Sequence, residues 1–168
     1  VSVRQRLLGQ RLDIGLALYY INGDNLIQQV MVDGALKNMN TGRFINKGFE
    51  LDATYAITPR WAVTANYAYL HTSTRITGAP RNKLYGEVAF TPGRWQFSVD
   101  LLGVWDLKTE QTTQSYALLN ARAAYTIPLR TPVTIFVKGD NLTAARYEIN
   151  HGFPMPRATV MAGLELRF

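Results

Sequence analysis

The chain has no cysteine. That excludes a disulfide framework and a thiolate metal site. It has no run of about 18 apolar residues, so a transmembrane helix is excluded. Histidine occurs only as His71 and His151, each in a stretch that reads as loop. Neither has a ligand-type residue at i+3 or i+4, and the single acid near His151, Glu148, does not make a metal site. No glycine-rich loop leads from a strand into a helix, so there is no phosphate cradle. No nucleophile, base and orienting acid form a catalytic constellation. An enzyme, a metal site and a cofactor are therefore not expected. Also lacking is any cluster of basic residues: Lys and Arg total 18 against 12 acids, net +6, but they are scattered singly. Nucleic-acid binding is not expected from such a pattern. The first residues, VSVRQRLLGQRLD, contain no initiator Met and no apolar signal core.

What is present is alternation. Hydrophobic residues make up 47%, with nine Tyr, seven Phe and three Trp, and mean hydropathy is −0.09. From Ala158 to Phe168 every even position is apolar: Ala158, Val160, Ala162, Leu164, Leu166, Phe168. The odd positions are small or polar apart from Met161. A period of two is a strand with different solvents on its two sides. The same pattern opens the chain, where Leu12, Ile14, Leu16, Leu18 and Tyr20 oppose Asp13, Gly15, Ala17 and Tyr19. About 9–11 tilted residues of this kind cross a bilayer.

Between these ends lie more such segments. Phe49, Leu51, Ala53, Tyr55 and Ile57 alternate with Gly48, Glu50, Asp52, Thr54 and Ala56. Trp61 to Tyr69, Leu84 to Phe90, Trp95 to Trp105, Tyr116 to Ile127 and Val133 to Val137 follow the same rule. LIQQVMV (26–32) reads either as a continuation of the first strand beyond a bulge or as a short strand of its own; eight strands are counted if it continues the first one. Asp33 to Gly42, rich in Asn and Gly, reads as a loop tip. Short turns at Pro59, Pro92 and Pro128 to Pro132 alternate with longer polar stretches, and two of them are near copies, TPRW and TPGRW. Pro cannot donate to a ladder, so it suits strand ends.

This arrangement is that of an outer-membrane barrel, all-β and antiparallel, with short turns on one side and long loops on the other. Trp61, Phe90, Trp95, Tyr125 and Phe168 then form one aromatic belt, and Tyr67, Tyr69, Trp105 and Tyr116 the other. Such a barrel needs a secretion signal, so here it was removed or the chain is a fragment. Gly163, Leu166 and Phe168 resemble the C-terminal assembly signal of bacterial outer-membrane proteins, although Ala162 stands where a polar residue is usual. That likeness implies recognition by the barrel-assembly machinery.

Taken together, the segments resemble the C-terminal part of a TonB-dependent outer-membrane receptor. Asn46, Gly48 and Glu50 match its Asn-x-Gly-x-Glu core. Asn141, Leu142 and Tyr147 match its late Asn-Leu and following Tyr. Met155-Pro156-Arg157 stands where Pro-Gly-Arg is usual. The resemblance implies a Gram-negative outer-membrane location and a parent barrel of about 22 strands with a plugged lumen. It implies that residues 1–168 are the last third of the barrel. The plug and the earlier strands would lie outside it. It further implies energised uptake of a scarce ligand, such as a siderophore, cobalamin or glycan. The partners implied are the plug domain, an energy-coupling protein and an unidentified small ligand.

On this reading Glu50, Asp52, Asp100 and Arg122 face the lumen and are candidate contacts for ligand or plug, or simply parts of a hydrated, salt-bridged interior. Arg75, Arg81, Lys83 and Lys108 are candidate contacts of the outer loops, toward an anionic ligand or the phosphates of lipopolysaccharide. Two other architectures remain: a self-contained eight-stranded outer-membrane barrel with a structural or adhesive role, and a soluble lipocalin-like carrier. Small inward residues (Gly15, Ala17, Ala62, Ala68, Ala89) argue against the first, because they leave a closed core thin. Charge on the inner face argues against the second.

Overall fold

The computed structural model describes residues 1–25, 27–40, 42–73 and 76–166. Phe168, Arg75 and Arg167 lie outside the described residues. Eleven strands are described: β1 Ser2–Leu7, β2 Leu12–Gly23, β3 Ile27–Val32, β4 Ala35–Asn40, β5 Phe44–Thr58, β6 Trp61–Thr72, β7 Asn82–Phe90, β8 Trp95–Lys108, β9 Thr113–Ile127, β10 Val133–Asp140 and β11 Thr159–Leu166. Nine form one antiparallel sheet in the order β1-β2-β5-β6-β7-β8-β9-β10-β11. Every neighbour in that order is also the next strand in sequence, apart from the excursion between β2 and β5. The sheet is open, with β1 and β11 as its edges.

The expected count of eight is therefore short. Strand β1 pairs with β2 from Ser2↔Ala17 to Leu7↔Leu12. Residues 27–32 form a short strand of their own rather than continuing the first, and 35–40 is strand rather than loop. Strands β3 and β4 make a separate two-stranded hairpin, paired from Ile27↔Asn40 to Val32↔Ala35. Its turn is Asp33-Gly34, with φ of 52° and 78°. Two successive positive φ values are what a two-residue turn between right-twisted strands requires, and Asp-Gly supplies them at low cost.

The register sorts the faces. Leu16↔Leu51, Leu51↔Tyr67 and Tyr67↔Leu84 run across β2, β5, β6 and β7. Val88↔Val99, Val99↔Ala121, Ala123↔Val137 and Val137↔Ala162 carry the same apolar face to β11. That face stays open: Leu18 is 51% exposed, Val99 50% and Val160 75%. Buried apolar side chains among the described residues are few, namely Val104, Leu107, Leu118 and Ala124. A water-soluble domain of this length would close an apolar core. This sheet instead turns its apolar side outward, which removes the lipocalin-like alternative.

The two ends differ. Turns 8–11, 59–60, 91–94 and 128–132 lie at one end; at the other lie the excursion between β2 and β5, the β6–β7 and β10–β11 connections, and a short one, 109–112, because β8 and β9 extend into the polar stretch between them. At the short-turn end the Thr58 hydroxyl accepts from the Arg60 and Trp61 amides at 3.2 and 3.1 Å. Thr91 N donates to Arg60 O at 2.8 Å, and Thr126 N donates to Arg94 O at 3.0 Å, so each turn is tied to the next hairpin. On the apolar face Trp61 stacks on Phe90 at 4.2 Å, and Trp95 meets Phe97 at 5.5 Å and Tyr125 at 4.8 Å. This is the expected aromatic belt over the described residues. The opposite belt contains Phe49, Tyr67, Tyr69 and Trp105, with Phe49 5.7 Å from Tyr67 and 5.9 Å from Tyr69. Tyr116 does not belong to it. It pairs with Val104 on the polar face and stacks on Tyr147 at 4.2 Å.

Candidate functional site

The polar face is the candidate site, because the register gathers the charged side chains there. At the β1 edge Arg4 bridges Asp13 at 2.9 Å and Asp52 at 2.8 Å, and Arg6 reaches Asp13 at 3.0 Å. Glu50 stands between Ala17 and Ala68, one rung from Asp52. In the middle, Glu87 lies opposite Asp100. Like charges at directly opposed positions are unfavourable unless shared out. Here the Tyr85 hydroxyl donates to Glu87 at 3.0 Å, and Asn120 Nδ2 donates to Asp100 at 2.7 Å. At the other side Arg122 pairs with Glu165 at 2.7 Å and lies 5.0 Å above the Phe136 ring. That ring occupies the space a side chain at Gly163 would need, so Gly163 has a packing role at this edge. Leu166 lies on the apolar face, paired with Val133.

Glu50, Asp52, Asp100 and Arg122 thus share one face across five strands. A concavity of about 540 Å³ on it is lined by Glu50, Asp52, Asn66, Lys83 and Tyr85, among others.

Of the motif positions, Gly48, Asn141 and Leu142 are set by close packing and backbone hydrogen bonds, while Glu50 and Tyr147 line the concavities. A Cβ at Gly48 would collide with the Tyr69 carbonyl and the Tyr19 ring. Glycine there lets the Tyr19 hydroxyl cross and donate to Tyr69 O at 3.1 Å. The Asn46 side-chain oxygen is enclosed, with no partner among the described residues. Asn141 is buried with φ of 50°, a left-handed conformation that Asn tolerates better than most residues. Its Oδ1 accepts from Ala145 N at 2.9 Å, and its Nδ2 donates to Ala145 O at 2.9 Å and Pro156 O at 3.2 Å. Asn120 Oδ1 accepts from the Asn141 amide at 2.9 Å, which joins this loop to the charged wall. Leu142 packs over Gly139.

The loop so anchored, 141–158, leans against the β8–β9 connection. Gln114 accepts from Glu148 N at 2.9 Å, and Glu110 accepts from His151 N at 3.1 Å. The His151 amide, with smaller help from the charge of the same residue, holds the Glu110 carboxyl below its usual 4.5. His151 Nδ1 is 3.8 Å from Glu148, whose carboxylate also accepts from Gly152 N at 3.0 Å. Between the two connections is a recess of about 570 Å³, lined by Gln114, Arg146, Tyr147, His151 and Arg157 among others. Both acids beside it are engaged by backbone amides. Among the described residues no carboxylate forms an ion pair with Arg146 or Arg157.

Two of the expected outer-loop cations are placed differently. Lys83 is in β7 on the polar face and Lys108 ends β8, so neither is a loop residue. Arg81 lies in a connection, 4.0 Å from Asp106. His71 is also in a strand, β6, rather than a loop. The recess around Arg146, Arg157 and His151 was missed because its parts are 32 to 43 residues from Gln114 and carry no local pattern. No group of three or more metal-binding side chains is present among the described residues.

Solved structures share the fold, among them the following three. The copper transporter OprC is 17% identical over 99% of this chain and 30% of its own, with a TM-score of 0.83. The siderophore receptor PiuA from Acinetobacter baumannii is 18% identical over 98% and 27%, with a TM-score of 0.74. The ferripyoverdine receptor of the outer membrane of Pseudomonas aeruginosa is 17% identical over 97% and 26%, with a TM-score of 0.70. The chain therefore spans between 26% and 30% of the length of these structures. No curated protein matches it. The family model described as "TonB dependent receptor-like, beta-barrel" matches residues 1–142. With its apolar face outward and its charges inward, the chain is part of the wall of an outer-membrane barrel, and it belongs to the TonB-dependent receptor family of transporters.

Proposed function

We propose that residues 1–168 are the C-terminal wall of a receptor that takes up a scarce ligand with energy supplied through an energy-coupling protein. The lumen-side recess beneath loop 141–158 carries this reading. It opens on the polar face at the long-loop end and presents Arg146, Arg157 and His151 beside the lining acid Glu148, with neither arginine in an ion pair among the described residues. Guanidinium groups suit anionic oxygen donors. An anionic metal chelate of the siderophore class fits that chemistry better than a glycan. Two of the solved structures, named for a siderophore and for ferripyoverdine, point the same way, whereas the third is named for copper; cobalamin remains the next candidate. Glu50, Asp52, Asp100 and Arg122, lower on the same face, are proposed contacts of the plug domain.

The test has two stages. An antibody against residues 147–168 is used on outer membranes of the source cell. A band several times heavier than 18.9 kDa supports a large receptor, whereas one at that mass migrating faster before boiling means a self-contained small barrel. Uptake of iron-labelled siderophores is then compared in cells carrying the intact receptor or its Arg146→Glu/Arg157→Glu variant. A fall of at least about tenfold, the equivalent of one good charge-assisted contact, is expected for an anionic chelate. Unchanged uptake sinks the assignment of the recess.

A further inference from the structure

Lysine is out of place on a lipid-facing surface, and the register puts one there. Leu18, Phe49 and Tyr69 form one rung of the apolar face. Two residues further along each strand the next rung is Tyr20, Lys47 and His71. No bulge interrupts either pairing at this point, so Lys47 and His71 stand on the same face as the aromatic belt below them. Lys47 is exposed and Tyr20 is 63% exposed. Among the described residues neither Lys47 nor His71 has an ion pair, and Asp24, at the same end, is paired with Arg43 at 3.2 Å.

The height of this rung fixes its surroundings. Trp61 marks the belt at the short-turn end, and His71 is ten residues on along β6. Ten residues at about 3.3 Å, tilted by about 45°, rise about 23 Å. The apolar band of such a wall is about 25 Å tall. Lys47 and His71 therefore sit where the outward face leaves hydrocarbon and meets headgroups. A lysine at that level lays its stem along apolar neighbours and lifts its ammonium into the headgroup layer. The ammonium offers three donors and the imidazole at least one, whatever its charge. The long-loop side of an outer-membrane barrel faces the exterior.

We propose that Lys47 and His71 form a binding site for the phosphate of a phosphorylated glycolipid in the outer leaflet, with Tyr20 beside it. The site is separate from the lumen recess and does not depend on which ligand the receptor carries.

The experiment uses the intact receptor that contains this chain, extracted from outer membranes in mild detergent. Glycolipid phosphate retained per receptor is measured for wild type, for Lys47→Glu/His71→Ala and for Lys37→Glu. The last makes the same charge reversal on the β3–β4 hairpin. Retention about fivefold lower or less in the double variant, and close to wild type in the hairpin variant, is the expected result. Equal retention in the double variant, or an equal loss in the hairpin variant, overturns the site. Delipidated receptor is then offered the phosphorylated glycolipid, its dephosphorylated form and inorganic phosphate. Rebinding of the first alone is expected. Equal rebinding of the dephosphorylated form, or displacement by inorganic phosphate at similar concentration, overturns the lipid-phosphate reading. Heat-modifiable migration reports folding. If the double variant loses it, Lys47→Gln/His71→Gln is measured with the same expected loss, and Lys47→Arg should retain the lipid.

Discussion

The short-turn end and the long-loop end of this wall use the same strands but are held differently. At the short-turn end ring contacts, Trp61 on Phe90 and Trp95 between Phe97 and Tyr125, cover the lipid side beside turns tied by the Thr58 hydroxyl and by backbone bonds. At the long-loop end directed bonds join side chain to backbone on the lumen side: Tyr19 to Tyr69 O, Asn141 to Ala145 and Pro156, Glu110 to His151 N. Stacked rings tolerate small displacements, because dispersion is summed over many weak contacts. Directed hydrogen bonds do not, because a buried group that loses its partner costs the whole desolvation penalty. The difference teaches that both ends carry a lipid-side belt of rings, while the long-loop end adds directed lumen-side bonds that hold a loop in shape.

Four substitutions probe that contrast. The largest effect is expected from Gly48→Val. Its branched side chain would strike the Tyr69 carbonyl and the Tyr19 ring, a clash between paired strands worth more than about 3 kcal/mol. Assembly into heat-modifiable barrel should fail, and normal assembly would show that the close approach is dispensable. Next is Asn141→Ala. It removes three buried hydrogen bonds and leaves alanine at φ of 50°. About 2–4 kcal/mol of local stability should go. Trypsin should then cut at Arg146 and Arg157 while the barrel stays folded, and a loop as resistant as wild type would contradict the latch.

Trp95→Ala should cost less, about 1–2 kcal/mol for two ring contacts, read by chemical unfolding in vesicles. It should leave loop protection unchanged. A change there would mean that the two ends are coupled. The smallest effect is that of Glu110. Its carboxyl titrates below the ordinary value in the folded loop. A lowered folded value means that its contribution is complete above the ordinary carboxylate range and is lost as pH falls through the lowered value. Exchange protection of the His151 amide should be flat near neutrality and drop only in acid. Glu110→Gln should remove that acid step, and a step that persists would assign it to another group.

The same contrast explains what could be read from sequence. The wall was legible because its two solvents write a period of two into most strands, and because proline marks three of the four short turns, two of them with a following Trp. Strand β1 was not, since Gln5 interrupts its apolar side and Arg4 and Arg6 suggest a polar leader; only their pairing with Asp13 and Asp52 explains them. Strand β4 was not, since ALKNMN has loop composition and becomes a strand through β3. Tyr116 was misplaced although its parity with Asn120 and Arg122 put it inward. The motif positions Gly48 and Asn141 were visible as motif, but their work lies in contacts 21 and 15 residues away in sequence, to Tyr69 and Pro156, which no local pattern encodes.

The repeated turn has a consequence for how such walls change size. TPRW and TPGRW stand 33 residues apart, each at the foot of an antiparallel pair that carries its own anchor at the lower membrane boundary. A hairpin of this kind is complete in height by itself. Gaining or losing one alters the circumference of the barrel, which scales with strand number, and leaves the thickness of bilayer it fits untouched. Width and fit to the membrane are thus independent variables, and a lineage of such proteins can explore one without disturbing the other.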